Sequence, residues 1–350
     1  MTNFLYFIAK TTAYRILVVI VTVIITLILL GSSMDKILTD GIRYEAVNTA
    51  AQNEIQFKTP SQRQAYIDEQ MNLKIKSLGL DEPWHSPKRF TNTLLKVLAL
   101  DLGRSNFFTS EGGSSSVRDI ILEKLPKTVL LFTTSTVIVL VLGLYLGTYM
   151  AEKKGSILDK SVSFAAVVSN SFATFWVGML MILLFSFTLD LLPARSTPLT
   201  SPGDPFYILD LLYHMILPLV TLVLLSFTVW SFVVRYFVSR ILDEDYIQAK
   251  RVMGIPKRRI LYSHALRNAA PPILTGVATA LIASISGSFI IEAVFDWPGV
   301  GKLLYDAIVV MDVPLILGST YVFTLIYVMT MLITDLLYAY FDPRVKISSS

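Results

Sequence analysis

The stretch from Thr128 to Ala151 contains no charged residue, which leaves few environments in which it can fold. A helix needs about 20 mostly apolar residues to cross about 30 Å of bilayer hydrocarbon. Only 16% of the chain is charged, against about 25% in soluble domains. We therefore expect an all-α polytopic membrane protein with six transmembrane helices. The segments of spanning length are 13–33, 128–151, 161–189, 211–234, 273–294 and 315–338.

The basic residues of the short connecting segments indicate which side of the membrane each segment faces. Segments 152–160 and 235–272 carry three and eight basic residues, whereas 190–210 and 295–314 carry one each. Because Lys and Arg accumulate in short cytoplasmic loops, we predict that both chain termini are cytoplasmic. These loops also account for the net charge of +4, so nucleic acid is not an expected partner.

A long segment that we place outside the cell, residues 34–127, follows the first span. It holds 13 basic and 12 acidic residues and no apolar run of spanning length, so we predict a mainly helical insertion. We expect helices over 44–78 with a break at 59–61, and a short amphipathic helix over 117–125. Residues 34–77 are interpreted either as a lid or docking surface or as a passive extension. The predicted domains are 1–33, 34–127, 128–338 and a cytoplasmic tail, 339–350.

No group of residues in the sequence indicates catalysis or a bound cofactor. The chain has no cysteine and three histidines, His85, His214 and His264, none of them at metal-ligand spacing. Acids inside spans are functional candidates, but we favour structural roles for Asp335, near the inner boundary, and for Glu292. We place Glu292 close enough to the outer face to reach water. The sequence predicts no catalytic, cofactor-binding or metal-binding residue.

Small residues repeat every four positions along the fifth predicted span. They form one narrow stripe: Gly276, Ala280, Ser284 and Ser288. Such stripes let helix backbones approach closely in lipid. The stripe is interpreted either as tight packing inside the bundle or as an interface with another bundle that lines a pathway.

Residues 238–272, between the fourth and fifth spans, are too long for a turn and too polar to cross the membrane. Three acids at 243–245 favour a helix start, Gly254 favours its end, and Pro256 favours the first turn of a second helix. We predict two short helices on the cytoplasmic side, with Ala249 reducing bulk in the first. The segment is interpreted either as a knob that fits a groove in a soluble partner or as an amphipathic helix on anionic lipid.

Several motifs resemble those of one family of membrane transport proteins. The run at 245–254, Asp-Tyr-Ile-Gln-Ala-Lys-Arg-Val-Met-Gly, is similar to the coupling motif of ABC importer permeases, E-A-A-x-x-x-G in its general form. The run at 264–269, His-Ala-Leu-Arg-Asn-Ala, resembles the dipeptide/oligopeptide type in its B-type subunit. The resemblance covers most of 1–32 and 78–346. Further matching motifs lie at 101–105, 175–178, 192–194, 292–301, 335–338 and 342–344.

Two departures from the family pattern affect the predictions. Gln248 and Lys250 replace the acid and the second alanine of the coupling motif. In the third span, residues 171–174 read Ser-Phe-Ala-Thr, where the family often has Ser-Ile-Pro-Ser. Because proline kinks helices, we expect the third span to be less kinked here.

The resemblance implies the fold of a type I ABC importer permease and a set of functional positions. It also implies a second homologous permease, two cytoplasmic ABC ATPases and an extracytoplasmic solute-binding protein as partners, all in or at the lipid bilayer of the cell membrane. The implied ATPase-coupling residues are Asp245, Tyr246, Gln248, Ala249, Lys250, Gly254, His264 and Arg267.

The implied function is ATP-driven alternating access for oligopeptides or oligosaccharides, with hydrolysis on the partner chains. The alternatives are a stand-alone secondary transporter or channel and a receptor or structural membrane protein. A secondary transporter or channel needs ion-coupling groups or a selectivity filter near mid-membrane. The sequence offers neither, and the coupling motif disfavours a purely structural role.

Overall fold

The computed structural model describes residues 2–52, 59–77 and 82–341, and these residues form α-helices and no named strand. π-Helical turns lie at Leu183–Thr188 and Ile260–Ala265. The helices are α1 Thr2–Gln52, α2 Pro60–Ser77, α3 Pro87–Leu98, α4 Val117–Glu152, α5 Ile157–Ser171, α6 Thr174–Ile182, α7 Tyr207–Leu242, α8 Asp245–Val252, α9 Lys257–Arg259, α10 Leu266–Ser284, α11 Phe289–Phe295, α12 Val300–Val309 and α13 Val313–Phe341.

The described helices include up to six membrane spans. Four candidates are single helices: Thr12–Leu29, Val117–Glu152, Tyr207–Leu242 and Val313–Asp335. Two more are bent pairs, Ile157–Ser171 with Thr174–Thr188 at 99° and Lys257–Ser284 with Phe289–Phe295 at 59°. With each pair counted as one span, the six predicted spans are accounted for. The predicted all-α membrane fold is confirmed.

The third span is sharply broken, so the expectation of a weaker kink there is wrong. Phe172 and Ala173 have extended backbone, with ψ of 136° and 129°. The Ala173 carbonyl accepts hydrogen bonds from Trp176 N–H at 3.0 Å and Val177 N–H at 3.3 Å. The Phe172 ring stacks on that of Trp176 with centroids 5.4 Å apart. These contacts stabilise the break without a proline.

Two helices run further than the sequence predicts. Helix α1 does not end near residue 33 but continues to Gln52, since no proline, the strongest helix breaker, occurs between these positions. The predicted short helix at 117–125 is the first part of α4, which continues through Pro126. Proline is tolerated in membrane helices because neighbouring groups satisfy the freed backbone. The motif at 342–344 and the tail lie outside the described residues.

Residue contacts divide the chain into two compact units. The smaller is built from 14–121 and 306–325. In it, the extension of α1 packs on α2 through buried Ala46, Ala50 and Ile67. Helix α2 begins at Pro60, inside the predicted break at 59–61, and residues 53–58 lie outside the described residues.

Asp312 fixes an irregular loop within the smaller unit. Its side chain is fully buried. It accepts hydrogen bonds from the Ser105 hydroxyl at 2.6 Å, the Asn106 N–H at 2.9 Å and the Phe107 N–H at 3.1 Å. A buried carboxylate is stabilised when several donors satisfy it, so the start of α13 and the loop before α4 hold each other.

The larger unit, residues 122–305 with both chain ends, contains two apolar clusters. One joins α4, α6, α7 and α11 around Leu131, Met181, Met215, Phe295 and Trp297. The other joins the end of α7 to α8 and α10. Its buried members include Val234, Val238, Ile247, Ile260, Ala265 and Ile273.

Candidate functional site

Helix α8 is the first short helix predicted in segment 238–272. An acidic residue lies in its first turn, where the helix dipole stabilises negative charge. At its end, the Gly254 N–H donates to the Arg251 carbonyl at 3.0 Å, and the Ile255 N–H donates to the Lys250 carbonyl at 3.2 Å. Gly254 has φ of +79°, so these bonds form a Schellman motif, which favours glycine. The predicted glycine turn is confirmed.

Apolar packing fastens one side of α8 to the segment that leads into α10. Ile247 is fully buried and shares a cluster with Ile260, Leu261 and Ala265. Full burial of one such side chain contributes about 1.5–3 kcal/mol. Ile247 is the only residue of α8 in that buried cluster, so the helix is anchored along a narrow line.

Polar contacts reinforce the same side of α8. Lys250 Nζ donates to His264 Nδ1 at 3.0 Å, and Asn268 Nδ2 donates to the Tyr246 hydroxyl at 2.6 Å. The Lys250 ammonium also lies 5.6 Å from the centre of the Tyr246 ring, within cation–π range. Three of the predicted coupling residues, Tyr246, Lys250 and His264, thus meet in one cluster.

The other side of α8 is open. Val252 is 90% exposed and Met253 76% exposed, so two apolar side chains project where the helix ends. The small side chain of Ala249 lies on this open side. The remaining predicted coupling residues are also exposed: Asp245, Gln248, Ala249 and Arg267.

The second predicted short helix is not a separate element. Lys257–Ser284 is one continuous helix, in which the π-helical turn keeps Ile260 and Ala265 buried in the same cluster. The helix therefore continues without a break from the cytoplasmic segment predicted at 238–272 into the fifth span. Pro256 precedes it with ψ of 137°, as its cap rather than in its first turn.

The small-residue stripe of the fifth span is shorter than predicted. Gly276 faces Trp230 so closely that a Cβ would overlap the indole ring. The Ser284 hydroxyl lies 3.0 Å from that of Thr133 on α4. Ser288 lies beyond the bend, where its side chain accepts a hydrogen bond from the Ile291 N–H at the start of α11. It is a cap, because the chain turns at 285–288 before the repeat is complete.

A cavity of about 630 Å³ opens beside this stripe. Helices α4, α5, α7 and α10 contribute to its wall, with Ala280 and Trp230 among the lining residues. Among the described residues that line it, none is charged. Its polar lining residues are Ser135, Thr136, Ser169, Asn170, Thr174 and Ser226. Hydroxyl and amide groups of this kind donate and accept hydrogen bonds without demanding a charged partner.

Glu292 is fully buried, so the expectation that it reaches water is wrong. The chain after α11 folds back over it. Its carboxylate accepts hydrogen bonds from the Gly301 N–H at 2.7 Å and the Lys302 N–H at 3.2 Å. The fold-back is held further by Trp297, whose indole N–H donates to the Lys127 carbonyl at 3.0 Å. These contacts support the structural role that we favoured for this acid.

Two glycines make room for this buried carboxylate. A Cβ on Gly299 would overlap the Glu292 carboxylate and the Thr128 hydroxyl, and one on Gly301 would overlap the backbone of Phe289. The matching motif at 292–301 is thus a single packed unit. Its acid supplies the acceptor, and its glycines supply the space.

Sequence reasoning missed a close helix contact between α4 and α7. A Cβ on Gly143 would overlap Trp230, and one on Gly147 would overlap the Ser231 carbonyl and Val234. These two glycines form a small-xxx-small pair within the charge-free stretch. The four-residue spacing of these glycines could have predicted a close helix contact from the sequence alone.

An ion pair between α5 and α7 was also missed. Arg235 binds both carboxylate oxygens of Asp159, with Nη2 donating to Oδ2 at 2.9 Å. Asp159 also accepts a hydrogen bond from the Gly155 N–H at 2.8 Å, and only 3% of its side chain is exposed. Sequence reasoning treated Arg235 only as a loop charge, because nothing local pairs it with an acid 76 residues away.

In the part of the chain that the structure describes, the remaining histidines and acids form no second site. His214 is buried, with its Nδ1 2.8 Å from Asp210 Oδ1. Among the described residues no cluster of three or more His, Asp or Glu side chains is placed to hold a metal ion.

Up to six apolar spans, an uncharged cavity between helices and a half-exposed helix joined to the fifth span are features of a polytopic helical membrane protein of the transport class. Residues 143–347 match the family described as binding-protein-dependent transport system inner membrane component. The chain belongs to this family.

Several similar proteins are named as permease proteins of peptide transport systems. The oligopeptide transport system permease protein AppB of Bacillus subtilis (strain 168) is 30% identical over 272 residues, covering 78% of this chain and 84% of that protein. The dipeptide transport system permease protein DppB of Escherichia coli (strain K12) is 29% identical over 289 residues, covering 77% and 83%. DppB of B. subtilis is 31% identical over 254 residues, covering 73% and 77%. The resemblance to peptide ABC permeases is confirmed.

Proposed function

We propose that this chain is one of two permease subunits of an ATP-driven importer that moves oligopeptides across the cell membrane by alternating access. The observation that carries the proposal is α8, a short helix anchored on one side and exposed on the other. The proposed partners are a second homologous permease, two cytoplasmic ABC ATPases and an extracytoplasmic solute-binding protein. Hydrolysis takes place on the ATPase chains.

The contacts of α8 supply a mechanical route from an ATPase to the spans. Ile247 packs in the cluster of the long helix 257–284, and the Lys250–His264 and Tyr246–Asn268 bonds join the same two elements. A force applied to the exposed side of α8 therefore acts on the fifth span with no flexible linker between them. Closure of an ATPase pair would rotate this helix and the bundle around it.

The cavity beside the fifth span is the proposed half-pathway. Ala280 of the small-residue stripe lines it, and Gly276 packs on Trp230 at its wall. In the assembly, the second permease would complete the enclosure. An uncharged wall of hydroxyl and amide groups suits a neutral polar chain such as a peptide backbone, which needs hydrogen-bond partners rather than counter-ions.

Peptides are the proposed substrates because the relatives described above are named for oligopeptide and dipeptide transport. Oligosaccharides, the other expectation from the resemblance, have no support in those names. A substrate-stimulation assay separates the two. Addition of oligopeptides with the binding protein should raise ATP hydrolysis by the reconstituted complex, whereas oligosaccharides should not.

The coupling role is tested by Ala249→Asp in the complete complex in proteoliposomes. An aspartate on the open side of α8 should obstruct close approach by the ATPase and abolish peptide uptake. Ala249→Asp should also lower the amount of ATPase that co-purifies with the permease. Ala65→Asp, the same change at an exposed alanine of α2, should leave the amount of bound ATPase unchanged. Normal uptake by Ala249→Asp would contradict the proposal. Uptake by the chain without ATPases would instead favour a stand-alone transporter.

We further propose that both termini and residues 238–272 are cytoplasmic, because the basic short loops lie on that side. The natural chain has no cysteine, so each introduced cysteine is the sole thiol. In intact cells, an impermeant thiol reagent should label Thr59→Cys and leave Lys257→Cys unlabelled. Labelling of Lys257→Cys alone would show that the topology is the reverse of the one proposed.

A further inference from the structure

Helix α3 is joined to α1 just beyond the membrane-spanning part of α1. Arg89 of α3 forms an ion pair with Asp35 of α1, and the Trp84 N–H donates to the same carboxylate at 3.1 Å. The apolar window of α1 ends at Leu29. At 1.5 Å per residue, Asp35 lies about 9 Å beyond Leu29 and about 3 Å beyond residue 33, where the first span is predicted to end. This range covers the headgroup layer, which is about 5–8 Å deep on each side of a bilayer.

The other end of α3 lies at the level of the apolar window. Val97 lines a narrow crevice together with Val23 and Leu27 of α1. Arg89 and Val97 are eight residues apart, and so are Asp35 and Leu27, so each pair spans about 12 Å of helix. The equal spacing means that α3 runs antiparallel to α1, down through the headgroup layer to the edge of the hydrocarbon.

Helix α3 has one covered face and one exposed face. One face is covered, at Arg89, Phe90, Thr93, Leu94 and Val97. The opposite face is exposed and carries Lys88, Thr91, Asn92, Leu95 and Lys96.

The exposed face matches a lipid surface in charge and in position. The exposed face carries two lysines, Lys88 and Lys96, and no acid, which suits lipid phosphates. Lys88 lies 3.8 Å from Glu82, so Lys96 is the lysine assigned to a phosphate. Leu95, 63% exposed, lies near the level of Leu29 and thus at the acyl chains. Lys96 lies beside it, and because helical side chains lean towards the N-terminus of their helix, its ammonium can extend back to the phosphates, as membrane lysines do.

We propose that α3 is an interfacial helix that crosses the headgroup layer beside α1, with Lys96 bound to lipid phosphate and Leu95 in contact with acyl chains. Trp84, beside Asp35, would lie at the boundary between membrane and water, where tryptophan is enriched in membrane proteins. The proposal is independent of the transported substrate. It assigns α3 a role in fixing the depth of the first span, because the Asp35–Arg89 pair transmits its position to α1.

The test places a nitroxide label at single introduced cysteines in the full complex. The vesicles contain phosphatidylethanolamine and phosphatidylglycerol. A label at Leu95→Cys should collide more with oxygen, which concentrates in lipid, than with a water-soluble nickel chelate. A label at Tyr44→Cys, 71% exposed and nine residues further along α1 than Asp35, should show the reverse preference.

A charge reversal tests the phosphate contact. Lys96→Glu should lower the oxygen preference of the Leu95 label, whereas Lys76→Glu on α2 should not change it. A Leu95 label as accessible to nickel as the Tyr44 label would overturn the proposal and place α3 in water. A label shielded from both reagents would also overturn it, since a protein surface and not lipid would then cover this face.

Discussion

The carboxyl group of Glu292 gives a quantitative test of the packed unit at 292–301. In Glu292→Ala, the Gly301 N–H, now 2.7 Å from a carboxylate oxygen, and the Lys302 N–H, at 3.2 Å, lose their acceptor inside the protein. Each orphaned buried donor costs about 1–3 kcal/mol, so the two together destabilise the fold by about 2–6 kcal/mol. Glu292→Gln keeps an oxygen and the same shape, and should cost about 1 kcal/mol.

The two variants separate a structural carboxyl from one that acts in transport. We expect the apparent melting midpoint of the purified complex to fall steeply for Glu292→Ala and slightly for Glu292→Gln. Peptide uptake per folded complex should be nearly normal in Glu292→Gln, because hydrogen-bond acceptance is its function. If Glu292→Gln were stable but inactive, the charge or proton of Glu292 would take part in transport and the structural reasoning would be refuted.

Three further predictions address helix packing and the smaller unit. Asp159→Ala leaves the largely buried Arg235 without its partner and should destabilise the fold by about 3–5 kcal/mol, measured as a loss of monodisperse protein on heating. Gly147→Leu should push α4 away from Ser231 and lower thermal stability, by about 1–3 kcal/mol for overpacking, whereas Gly147→Ala should be milder. Asp312→Ala should free residues 105–107 and accelerate their cleavage by limited proteolysis; unchanged cleavage would mean that this carboxylate does not hold the loop.

Local signals predicted the features that depend on a few adjacent residues. Gly254 was identified because a helix end followed by a left-handed residue favours glycine wherever it occurs. The spans were identified because about 20 apolar residues have few other environments. The contact at Gly143 and Gly147 was missed, although their four-residue spacing is also a local signal, because small residues at this spacing let membrane helices approach closely.

Features that depend on distant residues could not be predicted in this way. The break at Phe172 is stabilised by stacking on Trp176 and by packing in the bundle, not by a proline. Glu292 is buried because the chain after α11 folds back over it, and a hydropathy pattern contains no information about that turn. The Asp159–Arg235 pair joins two helices whose approach is known only from the fold.

Gly254 provides the most direct test that α8 couples this chain to ATP hydrolysis. Its φ of +79° disfavours a β-branched residue, at a cost of about 1–2 kcal/mol or more, whereas asparagine tolerates this region. A Cβ would meet no other atom, so the two replacements differ mainly in backbone strain.

The measurement is the amount of ATPase that co-purifies with each Gly254 variant from membranes, normalised to the permease. Gly254→Val should lose ATPase and peptide uptake while remaining inserted, because the spans are untouched and only the position of α8 changes. Gly254→Asn should retain both. Full ATPase retention and uptake by Gly254→Val would contradict the claim that α8, held in this position, is the coupling element.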